Sequence, residues 1–249
     1  MIKVRPRVNV LDVLVDRIDM QEALIKIEEF IKGAENRLVV TPNAEMIMAA
    51  QEDLRLKKII NRADLALPDG AGVVLAAKLL GKTIPERVAG VDLVQELFKL
   101  AEQRGYSLYF LGAAPGIAQE AKEQVRSRYS NLEINLHHGY LTRRLEEEVI
   151  NDIIVESPDI LLVGMGVPLQ EKWLASYLSC FSGIVGIGVG GTFDILAGAK
   201  KRAPLLLQQM HLEWFYRLLQ EPERIVRTAQ LPKFILKVLK QRSKDTIIN

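Results

Sequence analysis

Residues 38–72, LVVTPNAEMIMAAQEDLRLKKIINRADLALPDGAG, decide how this chain is read. They hold two short apolar runs, 38–40 and 65–67, each followed at once by polar residues and a proline, then by a helix-like pattern. Both read as a strand switching into a helix. In an open parallel sheet the carboxyl ends of the strands share one edge, and ligands bind in the crevice outside it. Thr41, Asn43 and Asp69 are therefore expected to face one cleft. Asp69, stiffened by Pro68 and followed by Gly70, is a candidate general base, because its backbone is held while its carboxylate points out of the sheet. The competing reading makes both residues simple caps: Thr41 for a helix with Pro42 in its first position, Asp69 for the helix after Gly72.

The same theme recurs along the chain. Residues 8–15 read as a strand or hairpin arm, and Asp19 with Glu22 forms a capping-box pattern for a helix that Gly33 ends. In YFLGAAPG, residues 109–116, a strand runs into a small-residue turn at Gly112 and a helix from about Ile117; backbone N–H groups at such a helix start can receive a diphosphate. The glycine spacing does not match a dinucleotide fingerprint, which counts against a nucleotide-dependent oxidoreductase. Tyr140 follows His137, His138 and Gly139 at another strand end, where no ligand spacing for a metal appears. In PDILLVGMGVPLQEKW, residues 158–173, a buried strand leads to a helix whose first turn carries Gln170, an amide able to read a base or ribose edge or simply to be solvated. GIVGIGVGGTFDILAG, residues 183–198, supplies a further turn at Gly190, with Asp194 just inside the next helix. ERVAGVDL, residues 86–93, places Arg87, a two-pronged donor for phosphate or carboxylate or else a surface charge, before a helix with Asp92 as its expected N-cap. Strand, glycine turn and helix in this succession predict an α/β fold with a doubly wound, mostly parallel sheet.

Composition sets the outer bounds. A 249-residue chain with 49% apolar residues can build a sizeable core. No apolar stretch approaches the ~20 residues of a spanning helix, and the start lacks the apolar segment of a secretory signal, so a cytoplasmic protein is expected. Cys180, the single cysteine, is expected to be a small core residue. Charge divides unevenly: residues 200–249 hold eleven Lys and Arg against four acids, a net +7, which leaves −5 for residues 1–199 of the overall +2. A basic tail on an acidic body points to an anionic partner. The expected division is a core of residues 1–199 and a basic helical appendage of residues 200–249. Within the appendage, Arg217, Arg224 and Arg227 fall close to one helical face. Residues 231–244 set Lys233, Lys237, Lys240 and Lys244 opposite Phe234, Ile235, Val238 and Leu239, the pattern of a helix lying in a membrane interface or packed on its own domain. No Asp-x-Asp triplet, G-x-S-x-G elbow or P-loop lysine occurs. The usual carboxylate pair for a metal on a nucleotide diphosphate is therefore missing, and neither an α/β hydrolase nor a nucleoside-triphosphatase is indicated.

The ordered blocks TPNAE, LPDGAGVV, ERVAGVDL, FLGAAPG, PDILLVGMGVPLQEKW, GVGGTFDILAG and RAP with LEWFYRLLQEPERIVR resemble those of the WecG/TagA/CpsF glycosyltransferases over nearly the whole chain. The blocks are most similar to the TagA branch. That resemblance implies a Rossmann-like core and inverting transfer, without metal or cofactor, of N-acetylmannosamine from its UDP form to the 4-hydroxyl of undecaprenyl-diphosphate-linked N-acetylglucosamine. This is a step of wall teichoic acid linkage-unit synthesis. It implies Asp69 as the base, with Thr41, Asn43 and Arg87 on the sugar and acceptor side. Gln170 and Asp194 would lie on the nucleotide side; Gly112, Tyr140 and Gly190, at the neighbouring strand ends, are the further expected substrate- and nucleotide-binding residues. Arg217, Arg224 and Arg227 would close over the site and neutralise diphosphate charge. The implied partners are the UDP-sugar, the lipid-linked acceptor and the anionic inner face of the cell membrane, with no nucleic acid; the oligomeric state is left open. The alternatives are a relative using UDP-N-acetylmannosaminuronic acid or UDP-glucose, and a non-catalytic membrane adaptor. Leu205, Leu206 and Leu207 depart from the more polar segment expected after RAP.

Overall fold

A computed structural model describes residues 6–210, 213–220 and 230–248. Its centre is a six-stranded, all-parallel sheet of β3 (Arg37–Val40), β4 (Leu65–Ala66), β5 (Leu108–Gly112), β6 (Ile134–His137), β7 (Ile160–Gly164) and β8 (Val185–Gly188). The strands lie in the order β4-β3-β8-β7-β5-β6. β5, β7 and β8 are buried along their whole length. Their uninterrupted apolar runs are what a parallel strand covered on both faces requires. Alternate residues divide between two cores. Leu108, Phe110, Ile160, Leu162, Val185 and Ile187 face one layer, whereas Tyr109, Leu111, Leu161 and Val163 face the other.

The first layer holds α1 (Met20–Lys32), α5 (Gly90–Arg104), α6 (Ile117–Arg126) and α9 (Thr192–Leu196). The opposite layer holds α2 (Ala44–Glu52), α3 (Leu54–Arg62), α4 (Ala71–Leu79), α7 (Arg143–Glu156) and α8 (Leu169–Tyr177). The fold is therefore α/β, doubly wound and Rossmann-like. The chain leaves β7 for one face and its neighbours β5 and β8 for the other, which opens a crevice at the carboxyl edge of the sheet.

Several local expectations hold. α1 has the full capping box, with the Asp19 side chain accepting from Glu22 N and the Glu22 side chain accepting from Asp19 N. It ends at Gly33, although the left-handed conformation falls on Ala34 (φ 49°). A hairpin of β1 (Arg7–Val10) and β2 (Val13–Asp16) turns through Leu11 and Asp12, both left-handed, and buries all four of its valines. Its buried Asp16 accepts from Arg7 Nε and from Ala66 N, which pins the hairpin to β4.

Other expectations are overturned. The cap of α2 is Asn43, whose side chain accepts from Met46 N at 2.9 Å, not Thr41. α5 starts after Ala89, so Asp92 lies inside its first turn rather than at its cap. Cys180 is exposed, in a short 3-10 turn after α8. The last described helix, α12 (Gln230–Ile248), buries Phe234 and Val238 completely in the cluster formed by the hairpin, α2 and α4. Gln241 secures it by accepting from Leu11 N and donating to Asn9 O. Phe234 and Val238 of its apolar face are thus taken by the protein's own core, with Ile235 packed against it, while Leu239 stays exposed.

Candidate active site

Backbone bonds between loops assemble the first half of the site. Asp69 N donates to Pro42 O at 3.1 Å, and Val88 N donates to Pro68 O at 2.9 Å. The loop after β3, the loop after β4 and the segment carrying Arg87 are therefore tied edge to edge. Gly70, the residue before α4, sits at φ 88° and ψ 146°, which a side chain would strain. A Cβ built on it would lie 3.6 Å from Asn43 Cβ, so Asn43 and the Asp69 turn border one space. The N-cap position of α4 is Gly70, one residue beyond Asp69. Thr41 is buried and donates to Gly188 O at 3.1 Å, joining the ends of β3 and β8.

Over this edge stands a group of charges in which the sequence pointed to Arg87 but to neither Glu213 nor Arg202. Arg87 pairs with Glu213 of α11 (Glu213–Gln220) at 3.0 Å, with side chains only 17% and 11% exposed. Arg202, from the RAP block, grips Asp92 with both terminal nitrogens at 2.6 Å. Burial works against the Arg202 charge, but Asp92, with Glu213 and Asp69 nearby, more than offsets it and raises the pKa further. Its Nε is buried with no hydrogen-bond partner. The pattern ERVAGVDL suggested a cap for Asp92, and nothing local in the sequence pairs it with a residue more than a hundred positions later.

The second half lies around β5, β7 and β8. Gly112 is a close approach: a Cβ there would sit 2.5 Å from Gly164 O, so packing alone demands glycine. Tyr140 is exposed on the rim, its N–H directed at His138 Nδ1. Gly190 is left-handed (φ 56°), with open space where a Cβ would be. Asp194, inside α9, holds its carboxylate near the Gly191 turn. Gln170 is 1% exposed, and its Oε1 accepts from Gly166 N (3.2 Å) and Gly190 N (2.9 Å). Its amide is committed to holding the loops after β7 and β8, not directed outward to a base or ribose. Arg217 lies in α11, and Arg224 and Arg227 lie outside the described residues. Among the described residues no cluster of three or more His, Cys, Asp or Glu could hold a metal ion.

Sheet, crevice and charged edge make this an α/β protein with a polar ligand crevice at the carboxyl edge of its sheet. Residues 8–247 match the model of the glycosyl transferase WecG/TagA/CpsF family, and the chain belongs to that family. It is a glycosyltransferase. Among curated relatives it is similar to N-acetylglucosaminyldiphosphoundecaprenol N-acetyl-beta-D-mannosaminyltransferase of Staphylococcus aureus strain MW2. The two are 33% identical over 240 residues, covering 96% of this chain and 94% of the relative. The proteins of the same name from strains NCTC 8325 / PS 47 and MRSA252 match with the same identity and coverage.

Proposed function

We propose that the chain transfers N-acetylmannosamine from UDP-N-acetylmannosamine to the 4-hydroxyl of undecaprenyl-diphosphate-linked N-acetylglucosamine, with inversion and without a metal ion. The observation that carries this reading is the backbone-bonded junction that holds Thr41, Asn43, Asp69 and Arg87 at one edge. Asp69 accepts the proton of the acceptor hydroxyl as its oxygen attacks the anomeric carbon, and the UDP diphosphate leaves from the opposite face. One displacement inverts the centre. Arg87 serves a phosphate of the substrate, for which it exchanges Glu213, and Arg217, Arg224 and Arg227 supply positive charge to the leaving group. The loops after β5, β7 and β8 take the nucleotide.

The lipid-linked acceptor calls for a membrane-facing side. No helix among the described residues is long and apolar enough to cross a membrane. α10 (Leu205–Gln209), Met210 after it and α11 instead expose Leu205, Leu206, Met210, Trp214, Phe215 and Leu219, close in sequence to the basic residues 200–202. We assign this stretch, rather than α12, as the part of the 200–249 appendage that enters the interface.

The reaction is tested by UDP release from UDP-N-acetylmannosamine with the lipid-diphosphate acceptor, in EDTA, for wild type and Asp69→Asn. Acceptor-dependent release that survives EDTA and falls on the order of 10²–10⁴-fold in D69N, with UDP binding kept, is expected. Wild-type turnover by D69N removes the base assignment. Release only from another UDP-sugar removes the donor.

A further inference from the structure

We propose that Glu171 is a positioning residue: its carboxyl, sealed beneath the crevice, sets the direction of the Gln170 amide and so holds the loops after β7 and β8 in the arrangement that receives the donor's diphosphate. The inference rests on the reading of this crevice as the nucleotide side.

Glu171 is 0% exposed. Its Oε1 accepts from Gln170 Nε2 at 2.7 Å, while its Oε2 is buried with no partner. Carboxyls are rarely buried this way without a task, since desolvation penalises the charge and an orphaned oxygen costs a hydrogen bond. The Gln170 amide has one workable orientation. Both lone pairs of its Oε1 are occupied by N–H donors, Gly166 from the loop after β7 and Gly190 from the loop after β8. Rotated by half a turn, the amide would face its NH₂ toward those two N–H groups. The acceptor on Glu171 holds the other end and makes that rotation cost every bond in the set.

The wall behind this pair is β8 itself. A Cβ on Gly188 would lie 2.7 Å from Gln170 Nε2 and 3.2 Å from Glu171 Oε1, so the pair is packed directly against the strand backbone. Thr41 bonds the carbonyl of that same Gly188. The clamp thereby reaches both halves of the site through one residue of β8. Protonation of Glu171 leaves the clamp intact, because a proton on Oε2 keeps Oε1 as an acceptor.

The test uses the full-length chain with Glu171→Gln, which keeps an acceptor oxygen, and Glu171→Met, which removes it at similar volume. Backbone amide exchange at Gly166 and Gly190 is measured without ligand, and UDP affinity by titration. In E171M both amides should exchange about tenfold faster and the UDP Kd should rise about tenfold, the size of one lost buried hydrogen bond, with exchange elsewhere unchanged. E171Q should stay near wild type in both. Wild-type protection of the two amides in E171M, or equal damage in E171Q, overturns the proposal. Faster exchange with unchanged UDP affinity overturns its link to the donor. If wild type binds no UDP, the nucleotide reading fails instead, and the two amides still decide the role of Glu171. Should E171M not fold, Glu171→Asp, which withdraws the acceptor by one methylene, takes its place with the same outcomes.

Discussion

Glu171 sits in a core that favours its neutral form, and this leaves a mark on stability that single substitutions can read. Burial pushes its carboxyl from the ordinary value of 4.5 up to about 7, against the opposing pull of the Gln170 bond. Between those values the folded protein keeps a proton that the unfolded chain has released. The stability associated with Glu171 is therefore complete below about pH 4.5 and is lost as pH rises through about 7, by roughly 3 kcal/mol for a shift of this size. Glu171→Gln has no proton to lose. Chemical denaturation at pH 5 and pH 8 should show a fall in wild type that is larger by most of that amount than the fall in E171Q. Parallel behaviour of the two proteins would mean that Glu171 is charged in the fold. Glu171 could not be found in the sequence: in PLQEKW it reads as an ordinary first-turn acid of a helix, and its packing against Gly188 of β8 is set by the tertiary fold. Asp69 is the opposite case, since its proline, its glycine and the strand before it are contiguous and already place it on the edge.

The elements show the same contrast between local and remote information. β5, β7 and β8 were legible because a parallel strand covered on both faces must be a continuous apolar run, and the capping box of α1 because its four residues are consecutive. Thr41 and Asn43 were harder to tell apart: two polar residues flank Pro42, and the choice of cap falls to Asn43 because the Thr41 hydroxyl is drawn to Gly188 O across the sheet. α12 marks the limit. A helix with a basic face and an apolar face has the same sequence whether lipid or protein covers it, and here α2 and α4 do so. Phe234→Ala should accordingly cost about 3–5 kcal/mol of global stability, the range for deleting a buried aromatic ring, instead of acting only on membrane affinity. For the same reason, removing everything after residue 200 should not leave an intact core, because it strips Phe234 and Val238 from the cluster under α4. A melting temperature unchanged by F234A would place α12 away from the core.

Across the whole molecule, the asymmetry of charge and the asymmetry of exposed apolar surface coincide. The +7 segment of residues 200–249 follows a body of −5, and its first part holds the exposed leucines and aromatics of α10 and α11 close in sequence to the basic residues 200–202. This stretch sits over the charged edge, joined to it by the Arg87–Glu213 and Arg202–Asp92 pairs. Under the proposed function, dipping Trp214 and Phe215 into the headgroup region would bring the edge with Asp69 next to the lipid layer, where a lipid-linked hydroxyl would be found. Attraction of about 1 kcal/mol per basic residue near anionic lipid adds to the burial of the apolar side chains and is screened within a Debye length of ~10 Å at 0.1 M salt. Replacing Trp214 and Phe215 together by serine should weaken binding to vesicles rich in anionic lipid by tenfold or more. The melting temperature and UDP affinity should change little, since both side chains are exposed and neither belongs to the core clusters. Raising salt should weaken the wild-type protein and the double variant alike, because the basic residues are untouched in both. Undiminished vesicle binding by the double variant would move the membrane contact elsewhere on the chain, and with it the explanation of why the polar edge is roofed by α11 rather than open to water.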